Sequence, residues 1–218
     1  QLSKLVSQGR KGNDGISARH ICTRRAFHPD GYTVDVGLIM AEIYVISDTH
    51  FGHANIIKYA NRPFATAKKM NEAMVENWNA VIKPEDKVYH LGDVYMPGGV
   101  THWSQFFAQL NGHKRLILGN HDNGKDQVLQ RTFEKIGIWR MFPEYGLLLT
   151  HVPVHESALH ATEKHGVLVN VHGHIHQNVS PPGPYLNACV EWNEYKPVHI
   201  EEYAKWAKRL TQNAEAAI

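Results

Sequence analysis

Apolar positions along most of this chain fall into two alternating periods. Ile43-Tyr44-Val45-Ile46 is a short run suited to a buried strand, and Met70, Met74, Trp78 and Val81 then recur at helical spacing. Lys87-Val88-Tyr89-His90-Leu91 predicts a second strand, followed by a helix with Trp103, Phe106, Phe107 and Leu110 on one face. Arg115-Leu116-Ile117-Leu118 predicts a third strand, followed by a helix carrying Val128, Leu129, Thr132, Phe133 and Ile136. Two more strands, Gly146 to Thr150 and Val167 to Val171, have no clear long helix between them. After the turn at Pro181-Pro182-Gly183-Pro184, a strand from Tyr185 to Val190 leads to a C-terminal helix near 200–211. This order predicts an α/β fold layered on a central sheet whose strand direction becomes mixed towards the end. The Trp and Phe stripes on the helices read as core rather than as a base-stacking platform.

Residues 1–39 break the pattern. They are rich in Gly, Ser, Asn, Asp and Arg, with no sustained period, and patterned sequence begins at Met40. The expectation is an N-terminal extension over 1–39, of upstream or cloning origin, and one domain over 40–218. A chain of 218 residues suits a single core, because cores stop growing only near ~250 to 300 residues. No run approaches the ~18 to 20 apolar residues of a membrane span and the N-terminus lacks a signal-like apolar stretch, so a cytoplasmic protein is expected. Cys22 and Cys189 show no ligand spacing and read as free thiols.

Charge narrows the choice of partners. The first 39 residues hold six Lys and Arg against three Asp, while the remaining 17 basic and 18 acidic residues leave the body slightly acidic. That disfavours a long groove tracking nucleic-acid phosphates. Histidine is the compositional outlier, with 16 copies, which directs attention to metal chemistry.

The polar residues that could carry such chemistry follow the strands. Asp48 and His50 follow the first, Gly92-Asp93 the second, Gly119-Asn120-His121-Asp122 the third, His151 the fourth and Gly173-His174-Ile175-His176 the fifth. Ligands in open α/β sheets gather beyond the carboxyl ends of strands, so five segments would converge on one crevice. Carboxylates, imidazoles and an amide oxygen suit Mn, Fe, Ni or Zn better than a thiolate or all-oxygen calcium site would. In an extended segment positions i and i+2 face the same way, which would let Asp48 and His50 reach one ion, and His174 with His176 likewise. Glycines at 92, 119 and 173 would permit tight turns out of the strands. A lone Asp-x-His or His-x-His is more often structural; the five segments together are not.

This series resembles the full signature of the calcineurin-like metallophosphoesterases, over about residues 42 to 200, and is similar to the small single-domain bacterial and phage members. The resemblance implies a four-layer α/β/β/α sandwich, a central mixed β-sandwich flanked by helices. It implies two divalent metal ions, manganese first among the candidates. Asp48, His50 and His176 would hold one, and Asn120, His151 and His174 the other, with Asp93 bridging. His121 would contact the phosphoryl group, as Asn120 could also, and protonate the leaving oxygen, oriented by Asp122. The reaction implied is phosphoester hydrolysis by a hydroxide shared between the ions. His53 could touch substrate, although a supporting role is the blander reading.

Within that family, Val94-Tyr95-Met96-Pro97 after Gly92-Asp93 and the presence of Asp122 argue against a protein phosphatase, and the length leaves little room for a nuclease cap. A small or nucleotide-type phosphodiester is therefore the expected substrate. Phosphomonoester hydrolysis is the alternative, with Arg62, Lys114 and Arg115 as possible extra cationic contacts, and a non-catalytic metal-binding scaffold is a third. Oligomeric state is not legible in the sequence.

Overall fold

In a computed structural model of the chain, the described residues are 23–27, 33–37, 41–96, 102–159 and 168–215. The chain divides into two units, Gln1–Met40 and Ala41–Ile218. In the first unit β1 (Thr23–Phe27) and β2 (Thr33–Gly37) pair antiparallel, with Thr23 opposite Gly37. These strands lie where the sequence pattern predicts none; the other residues of 1–39, and with them Cys22, fall outside the described residues.

The second unit is built from strands β3 (Ile43–Ile46), β4 (Lys87–His90), β5 (His113–Ile117), β6 (Lys135–Gly137), β7 (Trp139–Phe142), β8 (Leu147–Thr150), β9 (Val169–His172), β10 (Tyr185–Asn187) and β11 (Val198–His199). Its helices are α1 (Ile56–Tyr59), α2 (Ala67–Val81), α3 (Trp103–Ala108), α4 (Gln127–Thr132) and α5 (Ile200–Glu215). One sheet has the order β11-β3-β4-β5-β6 and the other β10-β9-β8-β7. In the first, β3 to β6 are parallel and β11 runs against β3. In the second, β8, β9 and β10 are parallel and β7 runs against β8. The result is an α/β fold of two mixed sheets flanked by helices.

Strand alternation builds the layers. Ile46, Val88 and Leu116 point to the helical side of the larger sheet, against Met70, Met74 and Trp78 of α2 and Phe107 of α3. Their neighbours Val45, Tyr89 and Ile117 point the other way, into the space between the sheets, where they meet Leu147, Leu149, Val169 and Val171. Because both faces are covered, these strands read as continuous apolar runs. Ile200, Tyr203 and Ala207, one stripe of α5, close this inner core. Thr66 caps α2 by accepting from Lys69 N, and buried Trp78 donates its indole N–H to Asn111 O.

Two predicted elements differ from those observed. The helix expected to carry Ile136 ends at Thr132: Phe133 is already extended, and Ile136 sits in β6, paired to Leu116. Pairing with β5 outweighs a helical spacing that was coincidental. The strand expected to reach Val190 stops at Asn187, and Val190–Trp192 is a 3₁₀ turn. Strands β6 and β11, of three and two residues, are too short for a periodic signal, and β7 begins with exposed Trp139 and Arg140 rather than an apolar run.

Trp78 is 1% exposed and joins α2 to the larger sheet. Trp78→Ala is expected to destabilise the domain by about 3 to 5 kcal/mol, read as a lower urea midpoint with an unchanged slope.

Candidate metal centre

The chain leaves β3 at Ser47 and β4 at Leu91, and the two departing segments stay hydrogen-bonded. Asp48 N donates to Gly92 O, His50 N to Asp93 O and Phe51 N to Val94 O, each at 3.0 Å. Beside them Gly173 N donates to His151 O and Val190 N to Ser47 O. With Asp93 N donating to Asp122 Oδ2, His121 N to Asp93 Oδ1 and His174 N to Asp48 Oδ2, these bonds bring together the segments after β3, β4, β5, β8 and β9.

Two groups of donor atoms result among the described residues. Asp48, His50 and His176 each offer an atom within 4.8 Å of the others, and so do Asp93, His151 and His174. Asp93 spans both, with one carboxylate oxygen 3.5 Å from His50 Nε2 and the other 3.6 Å from His151 Nε2. Asn120 Oδ1 lies 2.8 Å from both His151 Nε2 and His174 Nδ1. His121 is exposed at the rim, its ring 5.6 Å from that of His50, and its N–H donates to Asp93 Oδ1. His53 lies beside His50 at 5.4 Å between rings, its buried Nδ1 without a hydrogen bond.

The donor set fits cations. Asp48 Oδ1 and both nitrogens of His50 are buried and make no hydrogen bond, an arrangement that costs free energy unless another charge meets them. His151 bonds Leu91 O through Nδ1, which in the neutral ring must be the N–H. Its Nε2 lone pair then faces the Asn120 oxygen at 2.8 Å, two acceptors that a shared cation would satisfy. Burial alone would raise the Asp93 carboxyl, but His50, His151 and the His121 N–H hold it well below the usual carboxylate range. Burial and the neighbouring His151 lower His174, keeping it neutral and able to ligate.

The backbone there is strained. Asp48, His50, Asp93, His174 and His176 all have positive φ, between 47° and 72°, a region non-glycine residues rarely occupy and one that surrounding structure must enforce. The Asp48–His50 segment is therefore not extended, and its side chains converge through left-handed turns rather than by strand alternation. Of the three glycines expected at tight turns, only Gly92 has positive φ, at 99°. Gly173 is required by space: a Cβ there would lie 2.0 Å from Ser47 Oγ and 2.2 Å from Asp48 Oδ2.

Supporting residues behave differently from expectation. Asp122 does not orient His121. Its carboxylate accepts from the backbone N–H groups of Asp93, Val94 and Gly119 at 2.9 to 3.0 Å, so it fixes the turn that carries Asp93. Arg62 is buried, donating to the carbonyls of Asp48 and Thr49 and to Glu191. Lys114 donates to Leu110 O and Gly112 O, and Arg115 to the Tyr89 hydroxyl. Arg62 and Lys114 are thereby engaged, and Arg115 gives one N–H to Tyr89 while its buried Nε has no partner. His90, pushed down to about 3 by burial, accepts from Gly92 N at Nδ1, so its Nε2–H donates to Thr49, which in turn donates to Val94 O. His155 is exposed and caps the 3₁₀ turn Glu156–Ala158, whereas His160 and His165 lie outside the described residues. Cys189 is a free buried thiol that donates to Asp48 Oδ2.

Glu191 is the residue that motif reading misses. Burial works against its charge, yet His176 and Arg62 hold its pKa below the ordinary value. It accepts from His176 Nδ1 at 3.1 Å, which leaves His176 Nε2 facing Asp48. A buried acceptor for the second ring nitrogen of a ligating histidine is what fixes its tautomer. The only signal in the sequence is an acidic residue just after the apolar run that ends at Val190.

A model of the calcineurin-like phosphoesterase superfamily domain matches residues 41–182. An uncharacterized protein of Methanocaldococcus jannaschii is 36% identical over 174 residues, 76% of this chain and 91% of its own length. The gene 66 protein of Mycobacterium phage L5 is 27% identical over 164 residues, 63% of this chain and 78% of its own. Among solved structures, a protein of unknown function from Aquifex aeolicus has a TM-score of 0.63 at 32% identity, covering 77% of this chain and 100% of its own. The matched span takes in Asp48 through His176 and ends before Glu191.

Glu191→Gln preserves shape but removes the charge behind His176. It is expected to weaken metal binding about 10- to 100-fold, measured by chelator competition, while the circular-dichroism spectrum stays that of the parent.

Proposed function

The chain belongs to the calcineurin-like phosphoesterase superfamily, and from that premise we propose that it is a two-metal phosphodiesterase acting on a small or nucleotide-type diester. The observation that carries the reading is the pair of donor groups, Asp48-His50-His176 and Asp93-His151-His174, with Asp48 Oδ1 and the His50 nitrogens buried and without partners. Asp48, His50 and His176 would hold one divalent cation, and Asn120, His151 and His174 the other. Asp93, within reach of histidines from both groups, would bridge them. Such ions supply Lewis acidity, acidify a bound water and neutralise charge on the phosphoryl oxygens.

The protein's own residues orient and protonate. His121 stands exposed at the rim, anchored through its backbone to Asp93, where its imidazole can donate a proton to the departing alkoxide. Asp122 acts one step back, holding the Asp93 turn. The diester is favoured over the monoester because a monoester carries extra negative charge that wants added cations. Arg62 and Lys114 are engaged with backbone carbonyls and Glu191, and Arg115 with Tyr89. Manganese leads among the candidate metals on the mixed oxygen and nitrogen ligand set. No helix among the described residues is long and apolar enough to cross a membrane.

The test is hydrolysis of bis-(p-nitrophenyl) phosphate beside p-nitrophenyl phosphate, by protein stripped with chelator and reloaded with Mn²⁺. Metal-restored turnover favouring the diester is expected. His121→Ala should lower it by about 10² to 10⁴-fold while the metal content is unchanged. Folded, metal-loaded protein that cleaves neither ester with Mn²⁺, Ni²⁺ or Zn²⁺ would overturn the proposal.

A further inference from the structure

The chain crosses from one sheet to the other at Ile138, between β6 and β7. A groove of about 720 Å³ opens there, within the range of small-molecule sites. Asn120 and His151 are among its lining residues, so it is continuous with the candidate ligand set. Beyond them the walls are Ile138, Trp139, Met141, Leu148, Val152 and Val154. Ile138 is 70% exposed, Trp139 57% and Val152 43%, a concentration of uncovered apolar surface.

The groove offers almost no hydrogen bonds. Thr150, also in its lining, donates its hydroxyl to Val152 O, and His151 is engaged with Leu91 O and Asn120. A sugar or glycerol group placed there would lose its water without replacement, at a cost for each buried hydroxyl. An aromatic ring or hydrocarbon would lose nothing polar and could lie against the Trp139 indole. We propose that this groove binds the apolar organic group of the substrate, so that the enzyme selects phosphoesters of aromatic or hydrocarbon-bearing alcohols over those of polar ones. The inference rests on the phosphoesterase reading above, because a phosphoryl group held by the two donor groups is what places its ester substituent beside Asn120 and His151.

The experiment is calorimetric titration of Mn²⁺-loaded protein with 1-naphthyl phosphate, methyl phosphate and glycerol 3-phosphate, with bis-(p-nitrophenyl) phosphate hydrolysis followed in parallel. Naphthyl phosphate should bind at least about tenfold tighter than the other two. In Trp139→Ala and Ile138→Ser, both at exposed positions where folding is not at stake, that ratio should fall to within about threefold while methyl phosphate binding stays constant. Trp139→Phe should restore it. Equal binding of the three phosphates by a protein that turns over the diester would overturn the inference and leave the phosphoesterase reading standing. A preference that survives both substitutions would overturn it too. So would a Trp139→Ala variant that merely turns a dimer into a monomer in sedimentation velocity, since the groove would then cover a second copy of the chain. Loss of both turnover and binding by all three would fell the phosphoesterase reading and the inference together.

Discussion

The carboxylate of Asp48 is wholly buried, and the rest of the site is arranged around it. One of its oxygens accepts from Ser47 Oγ, His174 N and Cys189 Sγ, donors that reach it from three separate segments. The other has no hydrogen bond and faces His50 and His176. A buried charge that is half satisfied is stable only with strong support or an opposite charge nearby. The same carboxylate therefore ties the segments after β3 and β9 to the turn at Cys189 and turns its other oxygen towards the histidines of the first donor group.

Holding such a centre requires neighbours that do no chemistry. Arg62 fastens the carbonyls of Asp48 and Thr49 to Glu191, and Glu191 in turn sets the ring of His176. On the other side Asp122 gathers three backbone N–H groups, and His90 with Thr49 completes a chain from Gly92 N to Val94 O. These bonds make five left-handed non-glycine residues tolerable in one small region. Removing one supporting group would leave its buried partners unsatisfied and let the left-handed segments relax out of the site geometry, so the effects should exceed those of exposed polar residues.

The parallel β3, β4 and β5 were legible as apolar runs because both of their faces are covered, and the long helix α2 because its buried residues recur at helical spacing. Short edge strands such as β6 and β11, of three and two residues, carry no period to read. Ile136 fell on a helical spacing by accident, and only pairing with Leu116 shows that it belongs to a strand. The candidate ligands were legible as a series of motifs, but the reasons first given for them were partly wrong. Asp48 and His50 meet through positive φ rather than alternation, and Gly173 is small for the sake of Asp48 rather than for a turn.

What the sequence determined by itself was the set of donor types and their order behind the strands, since an Asp, a His or an Asn carries its coordination chemistry wherever it lies. The alternation of apolar runs likewise determined that those donors would gather at one end of a sheet. Tertiary structure decided which charges are free and which are engaged. Arg62, Lys114 and Arg115 look alike as cations in the chain, yet all three are held by carbonyls, a carboxylate or a hydroxyl. Glu191, inconspicuous in the sequence, becomes the partner of His176 from fifteen residues away, and Trp139 becomes the wall of a groove. The reason is physical: a side chain's identity is local, whereas its availability depends on which partners long-range packing brings within hydrogen-bonding distance.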